Sequence, residues 1–443
     1  MKLLLIKPTI GKKGDTLYVD EGRMEPLMLG VLAALTPPDV EVKLYDDRME
    51  KIPFDEVCDL VAITVESYTA RRAYEISDEF RQRGVLVVMG GIHASLIPEE
   101  VKDHCDSLLI GDAETIWRDV IADAKNRALK SLYKAPPGIA QIGGIKPRRD
   151  IYKGKGYLPL SLLQFSRGCK YSCNFCAVSS YFDKKHYIRQ IDEVIEEIVS
   201  QDLKFLFFVD DNIATNPKAL KELCQELIPL KTNWISQASL DITHDKTAMK
   251  LMADSGCIGH VMGFESITQE SLHDARKVSN LKNFTNYTYE IEVLREHAMQ
   301  TWAAFTLGYD NDTYDSIIAT MEFALKHKFT FAAFNILMPY PGTPMYQELL
   351  EQNRLLYDAQ WWLHPEYRFN HAAFIPKNMT ADELTQVTHL ARQKFNSIPS
   401  LLYRFSDFKT NFKTLWRAMS YWRYTTLFRK EVYKKHNMRF GSK

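Results

Sequence analysis

Short apolar runs recur along the chain, each followed by a stretch with helical spacing, and this alternation leaves few folds open. In the first part the runs predict strands at Lys2–Ile6, Val40–Tyr45, Leu60–Thr64, Val85–Met89 and Ser107–Ile110. Helical spacing lies around Met24–Leu35 and Arg71–Arg83. Strands that are apolar throughout, rather than alternating, belong to a parallel sheet covered on both faces. Residues 1–125 therefore read as a doubly wound, Rossmann-like α/β domain. A stretch rich in Pro, Gly, Lys and Arg, residues 126–158, reads as a linker. From Pro159 the alternation resumes, with strands at Leu160–Phe165, Phe205–Val209, Trp234–Ser239, Ile258–Phe264, Thr301–Gly308 and Phe329–Leu337. Helical patterns such as Lys218–Leu230 and Tyr314–Lys326 lie between them. Such a series makes residues 159–353 a partial (β/α)6 barrel of the TIM type. Residues 354–443 read as a mainly helical segment rich in aromatic and basic side chains.

Composition narrows the class further. Formal net charge is zero, from 56 basic and 56 acidic residues, so nothing global points to nucleic acid. Seven cysteines, an odd number without regular spacing, do not form a secreted disulfide framework. Met1 to Pro8 holds an apolar run too short for a signal peptide, and no run approaches the roughly 20 residues that span a bilayer. These features point to the cytoplasm, where thiols stay reduced and free to bind metal.

The chemistry concentrates in Phe165-Ser166-Arg167-Gly168-Cys169-Lys170-Tyr171-Ser172-Cys173-Asn174-Phe175-Cys176. The segment directly follows the first barrel strand, so Cys169, Cys173 and Cys176 fall on a loop at the carboxyl edge, where barrel active sites form. A [4Fe–4S] cluster normally takes four thiolates. Three close cysteines without a fourth leave one iron open, as a catalytic metal site requires. Zinc would want a further Cys or His at short spacing, and His186 stands well away. Cys58, Cys105, Cys224 and Cys257 sit in apolar or helical patterns and read as core residues.

This CxxxCxxC after a strand, with the aromatic Phe175 before its last cysteine, resembles the radical S-adenosylmethionine (SAM) superfamily. The resemblance covers Pro159 to about Asn353. It implies that Cys169, Cys173 and Cys176 hold a [4Fe–4S] cluster whose fourth iron is chelated by SAM, and that reductive cleavage yields a 5′-deoxyadenosyl radical. It also implies SAM contacts at later strand ends: Asp210-Asp211-Asn212 after the second strand, Ser239 after the third, and Glu265 after the fourth. Gly308 after the fifth and Pro341 after the sixth complete the set, although Gly308-Tyr309-Asp310-Asn311 departs from the family's usual Gly-x-Pro-Gly.

Placed before such a barrel, the first domain resembles the cobalamin-binding module of the same superfamily. The matching stretches imply corrinoid contacts from Pro8, Thr9, Thr64, Glu66, Ser67, Gly90, Gly91, Ile92, His93, Gly111 and Glu114. Gly90 and Gly91 are expected to leave room for the corrin ring. The loop after the first strand, Pro8 to Asp15, has no histidine, so the module's usual imidazole ligand to cobalt is missing. His93 is read as a loop imidazole bonded to a propanamide or to backbone rather than as that ligand.

The resemblance implies a cobalamin-dependent radical SAM enzyme that methylates an unactivated carbon of a small-molecule, lipid or tetrapyrrole substrate. Ring formation or oxygenation with the same cofactors is the alternative, and an electron donor such as a flavodoxin or ferredoxin is implied. An RNA methylthiotransferase would need three more cysteines in the first domain, where only Cys58 and Cys105 stand. A non-catalytic cobalamin-binding regulator would not need the three-cysteine loop. In the tail, Trp416, Tyr421, Trp422, Tyr424 and Phe428 interleave with Arg417, Arg423, Arg429, Lys430, Lys434 and Lys435. That pattern suits weak contact with an anionic membrane surface, stacking on single-stranded RNA, or a helix packed on the domain with a solvated basic face.

Overall fold

The run Lys2–Lys7 is buried almost throughout and takes hydrogen-bonded neighbours on both sides. In the structure, a computed structural model, it belongs to a six-stranded, wholly parallel sheet. Its order is Glu41–Asp46, Lys2–Lys7, Leu60–Thr64, Leu86–Gly90, Ser107–Ile110, Leu132–Lys134. All residues are described except 14–15, 18–22, 137–141, 202–204, 283, 286 and 443. The order reverses direction at the first strand, and in open α/β sheets the ligand crevice lies beyond the carboxyl ends at such a point. The last strand corrects the expected boundary: Leu132–Lys134 pairs with Ser107–Ile110, so the first domain runs past residue 125 into the stretch read as linker. Of its three residues only Tyr133 is buried, too little apolar content to announce a strand.

The second sheet also has six parallel strands, in strict chain order: Ser161–Leu163, Phe205–Phe208, Asn233–Ala238, Cys257–Glu265, Gln300–Leu307 and Phe331–Ile336. The first and last of these do not pair, which makes an open, partial barrel. Leu206, Phe208, Trp234, Met262, Phe264, Phe305 and Phe334 form its outer core with the surrounding helices.

Thr380 caps the helix Ala381–Phe395 with a reciprocal Thr380–Glu383 box, and Ile398–Phe405 and Leu415–Lys435 follow. Beyond the last helix the chain returns to the first domain. Phe440 is 2% exposed and packs against Tyr68, Trp361, Tyr367 and Phe369, while the Ser442 amide donates to Glu75. Among the described residues no helix is long and apolar enough to cross a membrane. Phe440→Ala should remove about 3–5 kcal/mol of stability, the range for a large aromatic truncated in a packed core. The check is the urea midpoint together with tryptic cleavage near Tyr68. Unchanged values would show that the tail does not fasten the two domains.

Candidate active site between the two sheets

The carboxyl edges of the two sheets face each other, and the cysteine loop lies between them. Its entry is fixed by two adjacent aspartates just past the strand Phe205–Phe208. Asp210, fully buried, accepts the Phe165 amide at 3.2 Å and the Ser166 amide. Burial pushes its carboxyl up to about 7, opposed by these same hydrogen bonds. Asp211, on the lumen side, accepts the Gly168 amide at 2.7 Å. Asn212 donates to Ser239 Oγ at 3.1 Å and lies 3.7 Å from Cys169 Sγ, with Thr215 Oγ1 3.9 Å from the same sulfur.

Cys169, Cys173 and Cys176 are free thiols. Burial pushes the Cys173 thiol up to about 11 and raises that of Cys176, while the nearby Lys277 ammonium acts in the opposite sense on both. Lys277 is largely enclosed, with 14% of its side chain exposed. Burial opposes its charge, but Glu265 and the thiols outweigh this and raise its pKa. Lys277 Nζ lies 2.9 Å from Glu265 Oε1, and Thr306 donates to Glu265 Oε2 at 2.7 Å. The Glu265 backbone has φ +61° at an irregularity in its strand, a costly conformation that sets its carboxylate between Lys277 and Thr306. Among the described residues no group of three His, Cys, Asp or Glu converges on one ion. A cubane cluster does not ask for that, since each thiolate binds a different iron corner. The donor set of three thiols with a largely enclosed cation beside two of them therefore fits a [4Fe–4S] cluster and not a zinc site.

Above the loop is a cavity of about 430 Å³, within the 300–1,000 Å³ typical of cofactor sites. Thr64, Glu66, Gly90, Gly91, Ile92, Gly111 and Glu114 line it from the first domain, and Gln164, Arg167, Val209 and Asp211 from the barrel. Leu29, Leu32, Ala62, Val88, Leu109 and Trp117 extend it as an apolar slot between the first sheet and its helices. These walls suit a large corrinoid with an apolar tail, and no histidine is among them.

The structure gives several of the residues expected at the cofactors other surroundings. Asp210 is taken up by the Phe165 and Ser166 amides and is not among the residues lining the cavity. Gly308 has φ +107°, and a Cβ there would meet Leu384 Cδ2 at 2.6 Å, so its bareness serves packing against the helix Ala381–Phe395. Pro8, Thr9, Ser67 and His93 do not line the cavity. Thr9 is buried with its amide 3.2 Å from Asp47, and His93 is fully buried, its nitrogens at Ser67 (2.9 Å) and Glu100 (3.2 Å). His93 is thus a core imidazole rather than a loop group. Gly91 does not make room for a ring either. It has φ +113°, and a Cβ would meet the Val65 carbonyl oxygen at 2.8 Å. Phe175 packs against Tyr309, and Pro341 is buried in a turn whose Gly342 faces Leu96 of the first domain.

Sequence reasoning missed Lys277, which carries no strand-end signal, and it missed Arg167. Arg167 reaches from the cysteine loop to Glu114 (2.8 Å) and Asp112 (3.3 Å), and Tyr181 donates to Asp112 at 3.0 Å. An arginine immediately before Gly168-Cys169 was the available clue.

Parallel barrel, three-thiol loop and facing cavity together define a radical SAM protein with a corrinoid-type first domain. Residues 163–324 match the family described as the radical SAM superfamily. Bacteriochlorophyllide d C-8(2)-methyltransferase of Chlorobaculum tepidum is 31% identical over 358 residues, covering 75% of this chain and 78% of that protein. The C-12(1)-methyltransferase of the same organism is 29% identical over 399 residues, covering 87% and 85%. The fold matches the cobalamin-dependent SAM radical enzyme OxsB with a TM-score of 0.62 at 15% identity, over 97% of this chain and 71% of that one. The chain belongs to the cobalamin-dependent radical SAM enzymes. Its cofactors are accordingly a [4Fe–4S] cluster, SAM and cobalamin. Among the described residues the other four cysteines are dispersed, and the carboxyl-terminal segment is helical.

Breaking the Glu265–Lys277 pair from one side strands a largely enclosed charge. Glu265→Gln or Lys277→Met alone should cost about 3–5 kcal/mol, and the double variant less than their sum. Urea unfolding of the four proteins measures this coupling; strict additivity would show the pair is not one unit.

Proposed function

We propose that the enzyme methylates an unactivated carbon on a chlorin-type tetrapyrrole. The similarity to two bacteriochlorophyllide methyltransferases, each over most of its length, carries this reading. When bound, the cluster with SAM supplies a hydrogen-abstracting radical, and cobalamin supplies the methyl group. The chain's residues do the positioning. Cys169, Cys173 and Cys176 would hold the cluster. Asn212, Ser239 and the Glu265–Lys277 pair offer donors, an acceptor and a cation at the SAM position. The Thr64, Gly90 and Gly111 strand ends, with the helix Leu27–Leu35, would hold the corrinoid. Apolar walls around both exclude water from a reactive radical.

Methyl-labelled SAM, hydroxocobalamin, reductant and a panel of chlorins, incubated with reconstituted protein, should give a labelled chlorin. Formation of S-adenosylhomocysteine without label in any chlorin would remove the tetrapyrrole reading. The Cys169→Ala/Cys173→Ala/Cys176→Ala variant should lose iron and activity together. Met28→Trp, on the exposed side of a cavity helix, should weaken corrinoid retention in the visible spectrum without unfolding the protein. Equal retention by wild type and Met28→Trp would place the corrinoid elsewhere.

Electrons would come from an outside donor such as a flavodoxin or ferredoxin, because the chain's remaining cysteines are dispersed in packed regions. The tail divides into two parts. Tyr421 is buried and Phe428 packs on Trp302, whereas Leu402, Phe408, Leu415, Trp416 and Met419 are exposed beside Lys409 and Lys413. This exposed group suits weak attachment to an anionic lipid surface, with cations worth on the order of 1 kcal/mol each and screened by salt. Phe408→Ser/Leu415→Ser should abolish co-sedimentation with anionic vesicles at low salt. If wild type itself stays in the supernatant, the surface reading fails.

A further inference from the structure

A cavity of about 180 Å³ lies where the fifth and sixth barrel strands meet the carboxyl-terminal helix. Trp302, Phe331 and Phe428 make one wall, with ring centroids 4.5 to 5.2 Å apart. Asn335 and Asn396 add polar edges, and Arg392 closes the cavity. Arg392 is only 6% exposed, from the last full turn of the helix Ala381–Phe395. Its Nε donates to the Phe334 carbonyl at 2.7 Å, but its buried Nη1 has no hydrogen-bond partner. No carboxylate pairs with it among the described residues. Glu431, on the same wall, lies 3.0 Å from Lys435 and is already offset. Burial lowers the Arg392 pKa to about 10, so the group is still a cation at neutral pH. A buried, unpaired guanidinium is expensive to keep and is the side chain best shaped to take a carboxylate by two parallel hydrogen bonds.

We propose that this cavity is a recess for a carboxylate arm of the substrate, with Arg392 as its receptor. The inference rests on the tetrapyrrole reading above and adds the group by which the substrate is oriented. At about 180 Å³ the recess falls below the range for a whole cofactor-sized ligand, so it takes an arm and leaves the ring outside. The position is suitable. Glu265, Phe305 and Phe334 form one row across the fourth, fifth and sixth strands. The carbonyl that holds Arg392 is therefore two strand spacings, about 10 Å, from Glu265 along that row. Thr306 and Asn335, one residue further along, continue the wall between them. A molecule held by its acid at Arg392 thus extends across the lumen toward the radical site.

The test is binding to the reconstituted full-length protein. Protoporphyrin IX and its dimethyl ester are followed by absorbance, and 4-phenylbutyrate and its methyl ester by calorimetry. Each acid should bind at least tenfold more tightly than its ester, and Arg392→Gln should close that gap with Arg392→Lys in between. Ala333→Phe, which fills the recess while sparing Arg392, should also close it, and carries the test if Arg392→Gln does not fold. An acid preference that survives in Ala333→Phe and Arg392→Gln overturns the proposal, as does equal binding of acid and ester by wild type. Arg392-dependent preference for phenylbutyrate, with neither porphyrin bound, would keep the recess and discard the tetrapyrrole. Porphyrin binding indifferent to esterification would do the reverse.

Discussion

Two parallel sheets can share one active site only if their carboxyl edges are held face to face, and here a partly buried ion cluster does that holding. Arg167 leaves the barrel at the residue before Gly168 and ends between Asp112 and Glu114 of the first domain. Burial opposes the arginine's charge, while Glu114 and Asp112 outweigh it and raise the pKa. The cluster is thus a cation committed to two carboxylates across the domain boundary. Its sequence position matters as much as its charge. Arg167 stands two residues before Cys169, so the contact that joins the domains also sets the height of the cysteine loop beneath the cavity. Buried ion pairs add little net stability against an apolar replacement, but they penalise every arrangement that separates the partners. For a site that must align two cofactors, a single permitted docking is the more useful property.

The aromatic cluster of Tyr68, Trp361, Tyr367 and Phe440 supports the same docking from the other side. These residues come from the first domain, from the segment after the barrel and from the chain end. Apolar contacts of this kind are strong but non-directional. They press the domains together while Arg167 fixes the register. Asp47 and Arg72, 2.8 Å apart, extend the arrangement, since Arg72 also donates to Ser442 at 2.8 Å.

Much of this was legible in the sequence where both faces of an element are buried. Leu60–Thr64 and Ser107–Ile110 are apolar apart from Thr64 and Ser107 and form strands with those same bounds. Leu132–Lys134 was not legible, because one buried tyrosine between two exposed residues has no pattern. The three cysteines stood out by spacing alone. The choice between Asp210 and Asp211 did not, for a specific reason. The second barrel strand is apolar on its outer face, through Leu206 and Phe208, and on its lumen face, through Phe205 and Phe207. With no alternation, nothing in the sequence states which aspartate continues the lumen face. Lys277 and Arg392 were hidden differently. Each reaches its place through a helix end, where only tertiary packing decides what the side chain meets.

Several polar groups around the cysteine loop are paired with one another or with backbone. Asp211 is bound to the Gly168 amide, Glu265 to Lys277 and Thr306, and Asn212 to Ser239. Each is a group whose buried hydrogen-bonding capacity has been largely satisfied before any cofactor arrives. Preorganised polar groups of this kind cost little reorganisation when charge changes beside them. Arg392 breaks that rule at the far side of the sheet, with a buried donor left over. Ser166, Asn174 and Tyr309 near the cysteine loop also hold unpartnered polar atoms, but those are neutral, whereas Arg392 carries a charge with no carboxylate paired to it among the described residues, the arrangement that an outside anion would complete.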